Sequence, residues 1–221
     1  MSLLKYYNLL LFHSGQDAEI IGEDTSVTDY SSNPVEADMD ATALNAYTTQ
    51  LATITSLSTN LATLTRLPPG DRLTSLLTLD INGCTNIVQV PATYTSAITT
   101  LKLASTKVSS IPQSLSNLTT LDVSNCKRIS SISITTLETL SISHSSVTEI
   151  TATASLVRLF ALNSKLTTIP DAPALRVVLW SGIASATLNV SAANSALISL
   201  VTTGATTSIT SANGVVTSIA V

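Results

Sequence analysis

Few side chains in this sequence can do covalent chemistry at neutral pH, and those present are poorly placed to cooperate. There are two histidines, His13 and His144, and two cysteines, Cys84 and Cys126. His144 stands five residues before Glu149, which could pair a general base with a carboxylate that orients it. No nucleophile falls at motif spacing from either residue, so an exposed loop histidine is the simpler reading. Gly-x-Gly-x-x-Gly, Walker-type loops, His-Glu-x-x-His and the nucleophile elbow are all missing. The expectation is a chain with no catalytic residues, no metal site and no cofactor. The remaining chemistry is recognition: charged Asp80, Lys102 and Asp122, then Arg158, Phe160, Leu162, Val177 and Leu179. What makes these a group is the element that positions them.

That element is a repeat. Ile98-xx-Leu101-x-Leu103-xx-Thr106-x-Val108-xx-Ile111-Pro112 is one copy, and Leu118-xx-Leu121-x-Val123-xx-Cys126 begins the next. Leu137-xx-Leu140-x-Ile142-xx-Ser145-x-Val147-xx-Ile150 and Leu156-xx-Leu159-x-Ala161-xx-Ser164-x-Leu166-xx-Ile169-Pro170 follow. Central strand positions fall at Leu79, Leu101, Leu121, Leu140, Leu159 and Val178, in steps of 22, 20, 19, 19 and 19. A fixed period of this length predicts a solenoid in which each coil buries its apolar edge against its neighbours.

Strand side chains alternate between faces, so the spacers inside each apolar triplet predict a shared exposed surface. Early coils place Thr78, Asp80 and Asn82; Thr100, Lys102 and Ala104; Thr120, Asp122 and Ser124; and Thr139, Ser141 and Ser143 on it. Later coils place Arg158, Phe160 and Leu162, then Val177, Leu179 and Ser181. Trp180 falls on an inward position. Cys84 and Cys126 share one small-residue slot two coils apart. At about 4.7–4.9 Å per coil their Cα atoms lie roughly 10 Å apart, beyond the reach of a disulfide. Buried free thiols are predicted, facing inward and unavailable to a metal.

Composition fits stacked strands: only 11% of residues are charged, against roughly 25% in a typical soluble domain, and Ser, Thr and Ala fill the difference. The net charge of −4 is segregated. Residues 1–40 carry eight acids and one base, and residues 41–221 carry nine bases and six acids. Neither part has the clustered cations expected of a nucleic-acid footprint, so no nucleic-acid partner is expected. No apolar stretch approaches the roughly 18–20 residues of a membrane span. Asn8 interrupts the apolar start and no clean cleavage site follows, which argues against a secretion signal. The triplets Asn117-Leu-Thr and Asn189-Val-Ser match the glycosylation pattern, a match that Ser/Thr-rich chains produce by chance.

Three regions follow. Residues 1–37 read as an apolar leader followed by an acidic flexible linker. The leader's Leu4, Tyr6, Tyr7, Leu9, Leu10, Leu11 and Phe12 suit an assembly anchor that docks on its own solenoid or on a partner. Residues 38–53 place Leu44, Tyr47 and Leu51 at helical spacing and predict a helical cap. Residues 54–221 form the solenoid. The spacing from Leu44 to Leu64 would also serve a coiled coil, but Ile54-xx-Leu57-x-Thr59 through Leu67-Pro68 fits the repeat, and its threonines disfavour a long helix.

The apolar triplets and their Ile-Pro or Leu-Pro endings resemble leucine-rich repeats over Ile54–Val221, most closely the short repeats of bacterial effector-type members, as in Leu166-Thr-Thr-Ile-Pro-Asp-Ala-Pro-Ala-Leu175. The resemblance implies a strand-rich α/β-solenoid, curved, of about eight to nine coils, with a parallel sheet on the concave face used for protein or glycan recognition. Where that family places a backbone-bonding Asn, this chain has Ala62, Cys84, Thr106, Cys126, Ser145, Ser164, Ile183 and Ala205. The layout of leader, acidic linker, cap and low-charge body resembles virion surface proteins such as phage decoration or fibre proteins. Two functional expectations result. One is a non-enzymatic adhesive protein on a virion surface, anchored to a capsid by its N-terminus and able to form homo-oligomers. The other is a secreted, effector-like protein binding a host protein or glycan through the concave face.

Overall fold

Each Thr-Leu-x triplet of the repeat forms a strand of three residues whose central leucine points inward. The computed structural model describes residues 2–6, 9–14, 16–23, 39, 41–94, 97–151, 153–169, 171–182, 188–190, 197, 199–202, 209–211 and 219–220. They build a strand-rich β-solenoid of about six turns with a parallel main sheet and one helix. The main sheet contains β1 (Ser2–Tyr6), β2 (Leu9–Ser14), β3 (Asp17–Glu23), β4 (Ser56–Ser58), β5 (Thr78–Asp80), β6 (Thr100–Lys102) and β7 (Thr120–Asp122). After the short β8 (Ser131–Ile132) on another facet, it continues through β9 (Thr139–Ser141). β10 (Glu149–Ile150) pairs with β8, and the main sheet resumes at β11 (Arg158–Ser164). β12 (Thr168–Ile169) starts a third sheet that also holds β14 (Leu188–Val190) and β16 (Ile209–Ser211). β13 (Val177–Gly182), β15 (Ser199–Thr202) and β17 (Ile219–Ala220) complete the main sheet.

From β3 onward every main-sheet neighbour is parallel, and Leu57, Leu79, Leu101, Leu121, Leu140, Leu159 and Val178 stand opposite one another. All seven are essentially inaccessible to solvent. The ladder runs past the strands, for Ile81, Leu103, Val123 and Ile142 donate their N–H groups to carbonyls of Lys102, Asp122, Ser141 and Phe160 in the next coil. Backbone pairing therefore lasts longer than the three-residue strands suggest, as buried peptide groups require. The inward columns differ in size along the axis. The column Tyr94, Leu115, Ile134, Thr153, Ala172 ends in smaller side chains, while buried Trp180 stands opposite the small Ala161 of the preceding coil. The Trp180 indole N–H donates to the Leu166 carbonyl at 2.9 Å.

One sequence-based assignment is overturned. Asp17–Glu23, assigned to a flexible linker, is β3, parallel to β4 and antiparallel to β2. Its acids conceal a two-residue alternation in which Ala18 and Ile20 are buried, 4% and 1% exposed; that burial is what recruits the segment to the sheet. The leader is likewise sheet: β1 and β2 form an antiparallel hairpin with Leu4 opposite Leu11 and Tyr6 opposite Leu9. Tyr7 lies outside the described residues, as do 24–38 of the remaining linker.

The helix α1 (Ala41–Ala52) forms where helical spacing predicts it and buries Tyr47 and Leu51. It lies between β3 and β4 in the chain. β4 follows at Ser56, so the repeat rather than a coiled coil occupies residues 54–67. About six turns, not eight to nine coils, are described; the regularity breaks after Trp180, where residues 183–187 and 191–196 lie outside the described set.

Candidate functional site

The outward face of the main sheet carries two parallel rows. The residue before each central leucine gives Thr78, Thr100, Thr120, Thr139, Arg158 and Val177, and the residue after it gives Asp80, Lys102, Asp122, Ser141, Phe160 and Leu179. Neighbours within a row are about 4.8 Å apart. All of these are partly exposed except Arg158, which is exposed.

The first half of this face is polar and internally satisfied. Lys102 Nζ donates to Asp80 Oδ2 at 3.0 Å, with the two side chains 42% and 28% exposed; so open an ion pair contributes about 0–1 kcal/mol. Asp122, opposite Lys102 on the other side, instead accepts the Ser124 N–H at 2.9 Å. The second half places Arg158 opposite Val177 and Phe160 opposite Leu179, with Leu162 beside the irregularity between Ala161 and Ser164. The sheet thus brings all five residues of the apolar group together, while Asp80, Lys102 and Asp122 form a separate group on β5–β7.

A third column behaves differently from its sequence reading. Asn82 Oδ1 accepts the Ala104 N–H at 2.7 Å, Ser143 Oγ accepts the Leu162 N–H at 3.1 Å, and Ser181 Oγ accepts the Asn163 N–H at 2.6 Å. Ser181 is 3% exposed. These residues close backbone donors at the strand ends.

The remaining reactive groups are structural. Cys84 and Cys126 are buried and free. The Cys126 thiol points at the Leu103 carbonyl, 3.1 Å away, and the Cys84 thiol at the Thr59 carbonyl, 3.6 Å away. Burial pushes the Cys84 thiol up to about 11, and the nearby Asp80 charge adds to the rise; burial raises Cys126 as well. Both therefore stay protonated and unreactive at neutral pH. His144 is exposed and holds the left-handed backbone conformation at φ 56°. Its carbonyl accepts from Lys127 Nζ, while Glu149 belongs to β10 on another facet, paired with Ser131. Among the described residues no three His, Cys, Asp or Glu side chains gather to hold a metal ion, and no helix is long and apolar enough to cross a membrane.

His144 belongs to a set that sequence reasoning missed. Gly83, Ser105, Asn125, His144 and Asn163 all have positive φ, at 83°, 63°, 60°, 56° and 49°. Each lies four residues after the central leucine of its coil. Gly and Asn at three of the five positions were the available signal, since these residues enter this region most readily.

Compared with models of protein families, with curated proteins and with solved structures, the chain matches none. The reading of function rests on the geometry alone.

Proposed function

We propose that this chain is a non-enzymatic recognition protein of leucine-rich-repeat-like build, with α1 as its N-terminal cap, that binds a partner protein through the outward sheet face at β11 and β13. One observation carries the reading: Phe160, Leu162, Val177 and Leu179 are partly exposed together beside exposed Arg158, whereas the outward residues of the main-sheet strands from β4 to β9 are small or charged. Contiguous exposed apolar groups flanked by an arginine are typical of contact surfaces. Phe160→Asp with Leu179→Asp should abolish capture of the partner in affinity purification while far-UV circular dichroism and melting temperature stay unchanged. Capture of the same protein by both forms would sink the proposal. Lys102→Ala, on the polar half, should leave capture intact.

A second reading is display on a larger assembly, such as a virion surface, joined through the N-terminal hairpin. It is supported by β1, which pairs on one side only among the described residues and so leaves a row of backbone groups for a neighbouring strand. In that case the full chain forms an oligomer or co-purifies with a particle, and a chain lacking residues 1–14 does neither. A monomer in native mass spectrometry, unchanged by the deletion, removes this reading.

A further inference from the structure

We infer that the edge of the solenoid where the main-sheet strands end is a binding site for a linear anionic polysaccharide. The five left-handed turns stack there, and each is followed by a small buried residue and then by an outward one. In register, the outward residues are Thr85, Lys107, Lys127, Ser146 and Lys165, with Arg128 next to Lys127. The three lysines, Arg128 and Thr85 are exposed, and Ser146 is partly exposed. Consecutive coils are about 4.8 Å apart, so the backbone positions of the lysines form a row with gaps of roughly one coil and two coils.

Charge is concentrated on this edge. Residues 83–86, 105–108, 125–128, 144–147 and 163–166 include four bases and no acid, whereas the rest of 54–181 has five bases and six acids. No carboxylate neutralises the row among the described residues. Lys107 Nζ donates to the Asn86 side-chain oxygen of the preceding coil at 3.0 Å and Lys127 Nζ to the His144 carbonyl of the following one, so neutral oxygens hold two of the ammonium groups against this edge. The nearest acid along the chain, Glu149, comes two residues after buried Val147 and belongs to the next facet.

A row of cationic side chains along stacked coils, with hydroxyls between, matches a chain that presents sulfate or carboxylate groups along its length. Bound counterions are released as the row replaces them, which makes such binding salt-dependent. A nucleic acid fits less well, because no Phe, Tyr or Trp occurs in the five turns to stack its bases. The site is separate from the apolar face at β11–β13, and either can fail without the other.

The test is retention of the full chain on immobilised dextran sulfate, with neutral dextran, polyuridylate and polyglutamate as parallel columns. Retention on dextran sulfate alone, eluted by salt, is the expected result. Lys107→Gln, Lys127→Gln and Lys165→Gln combined should lower the slope of log affinity against log salt by roughly two to three. Lys165→Gln alone, at a side chain with no hydrogen-bond partner among the described residues, should lower it by roughly one. Lys102→Gln, and Phe160→Asp with Leu179→Asp, should bind dextran sulfate as the parent does. Undiminished retention of the folded triple variant overturns the inference. If the triple variant does not fold, an unchanged slope for Lys165→Gln overturns it instead. Equal or tighter binding to polyuridylate or polyglutamate also overturns it.

Discussion

The coils at β5–β7 and those at β9–β13 share inward leucines and backbone ladders but solve different problems with the rest of their residues. The early coils pair their outward charges with each other and with backbone, as Lys102 with Asp80 and Asp122 with the Ser124 N–H. The late coils show Phe160, Val177 and Leu179 outward instead. Inside, the early coils are filled by Tyr94 and Leu115, while the late coils have the smaller Thr153 and Ala172 there and bury Trp180. A solenoid's stability is a sum over coils and their interfaces, so one end can hold an uneven surface that the other end has no part in maintaining.

The largest expected effect tests that division inside the core. Trp180→Ala removes the buried side chain opposite Ala161 and breaks the bond to the Leu166 carbonyl. It should cost about 3–5 kcal/mol, read as a lower denaturation midpoint. Hydrogen exchange should rise around β11 and β13 and far less around β5 and β6, because coils interact only with their neighbours. Uniform loosening of all coils would show that the two halves are one cooperative unit.

The same division explains what the sequence disclosed. The inward leucines, the outward rows and the buried thiols were legible because a period near 20 residues fixes every position relative to its neighbour in the next coil. β3 was not, since Asp17, Glu19 and Glu23 dominate its composition and the informative residues are only Ala18 and Ile20. The backbone bonds of Asn82, Ser143 and Ser181 were hidden for another reason. Each partner lies 18–22 residues away, and a short polar side chain reads alike whether it faces solvent or a peptide N–H. The apolar group at β11–β13 was legible as a set, because register alone brings its members together.

An intermediate effect compares two buried threonines. Thr59, in the early coils, donates to the Ile20 carbonyl at 2.9 Å and so ties β3 to the first coil. Thr153, in the late coils, is inaccessible to solvent and its hydroxyl has no partner among the described residues. Valine has nearly the same shape as threonine. Thr59→Val should therefore destabilise by about 1–3 kcal/mol, since a buried carbonyl loses its donor, and Thr153→Val should stabilise by about 1 kcal/mol. Thermal melts of the two variants should move in opposite directions. Equal shifts of the same sign would mean that the hydroxyls do the same job in both halves.

The smallest effect uses one register position occupied differently in each half. Gly83 and His144 both hold positive φ, at 83° and 56°, and both donate their N–H to a carbonyl in the next coil at 2.8 Å and 2.7 Å. A side chain in this conformation costs about 1 kcal/mol, whereas glycine enters it freely. Gly83→Ala should lower stability by about 1 kcal/mol, although the nearest heavy atom to an added Cβ is 3.9 Å away and no clash contributes. His144→Gly should raise stability, by somewhat less, because glycine also gains freedom in the unfolded chain. The carbonyl that accepts from Lys127 is retained in that variant, so backbone strain is the only term that changes sign between the two sites. If His144→Gly is destabilising instead, the imidazole itself makes a contact that offsets the strain, and the turn after β9 is held by its side chain rather than by its ladder.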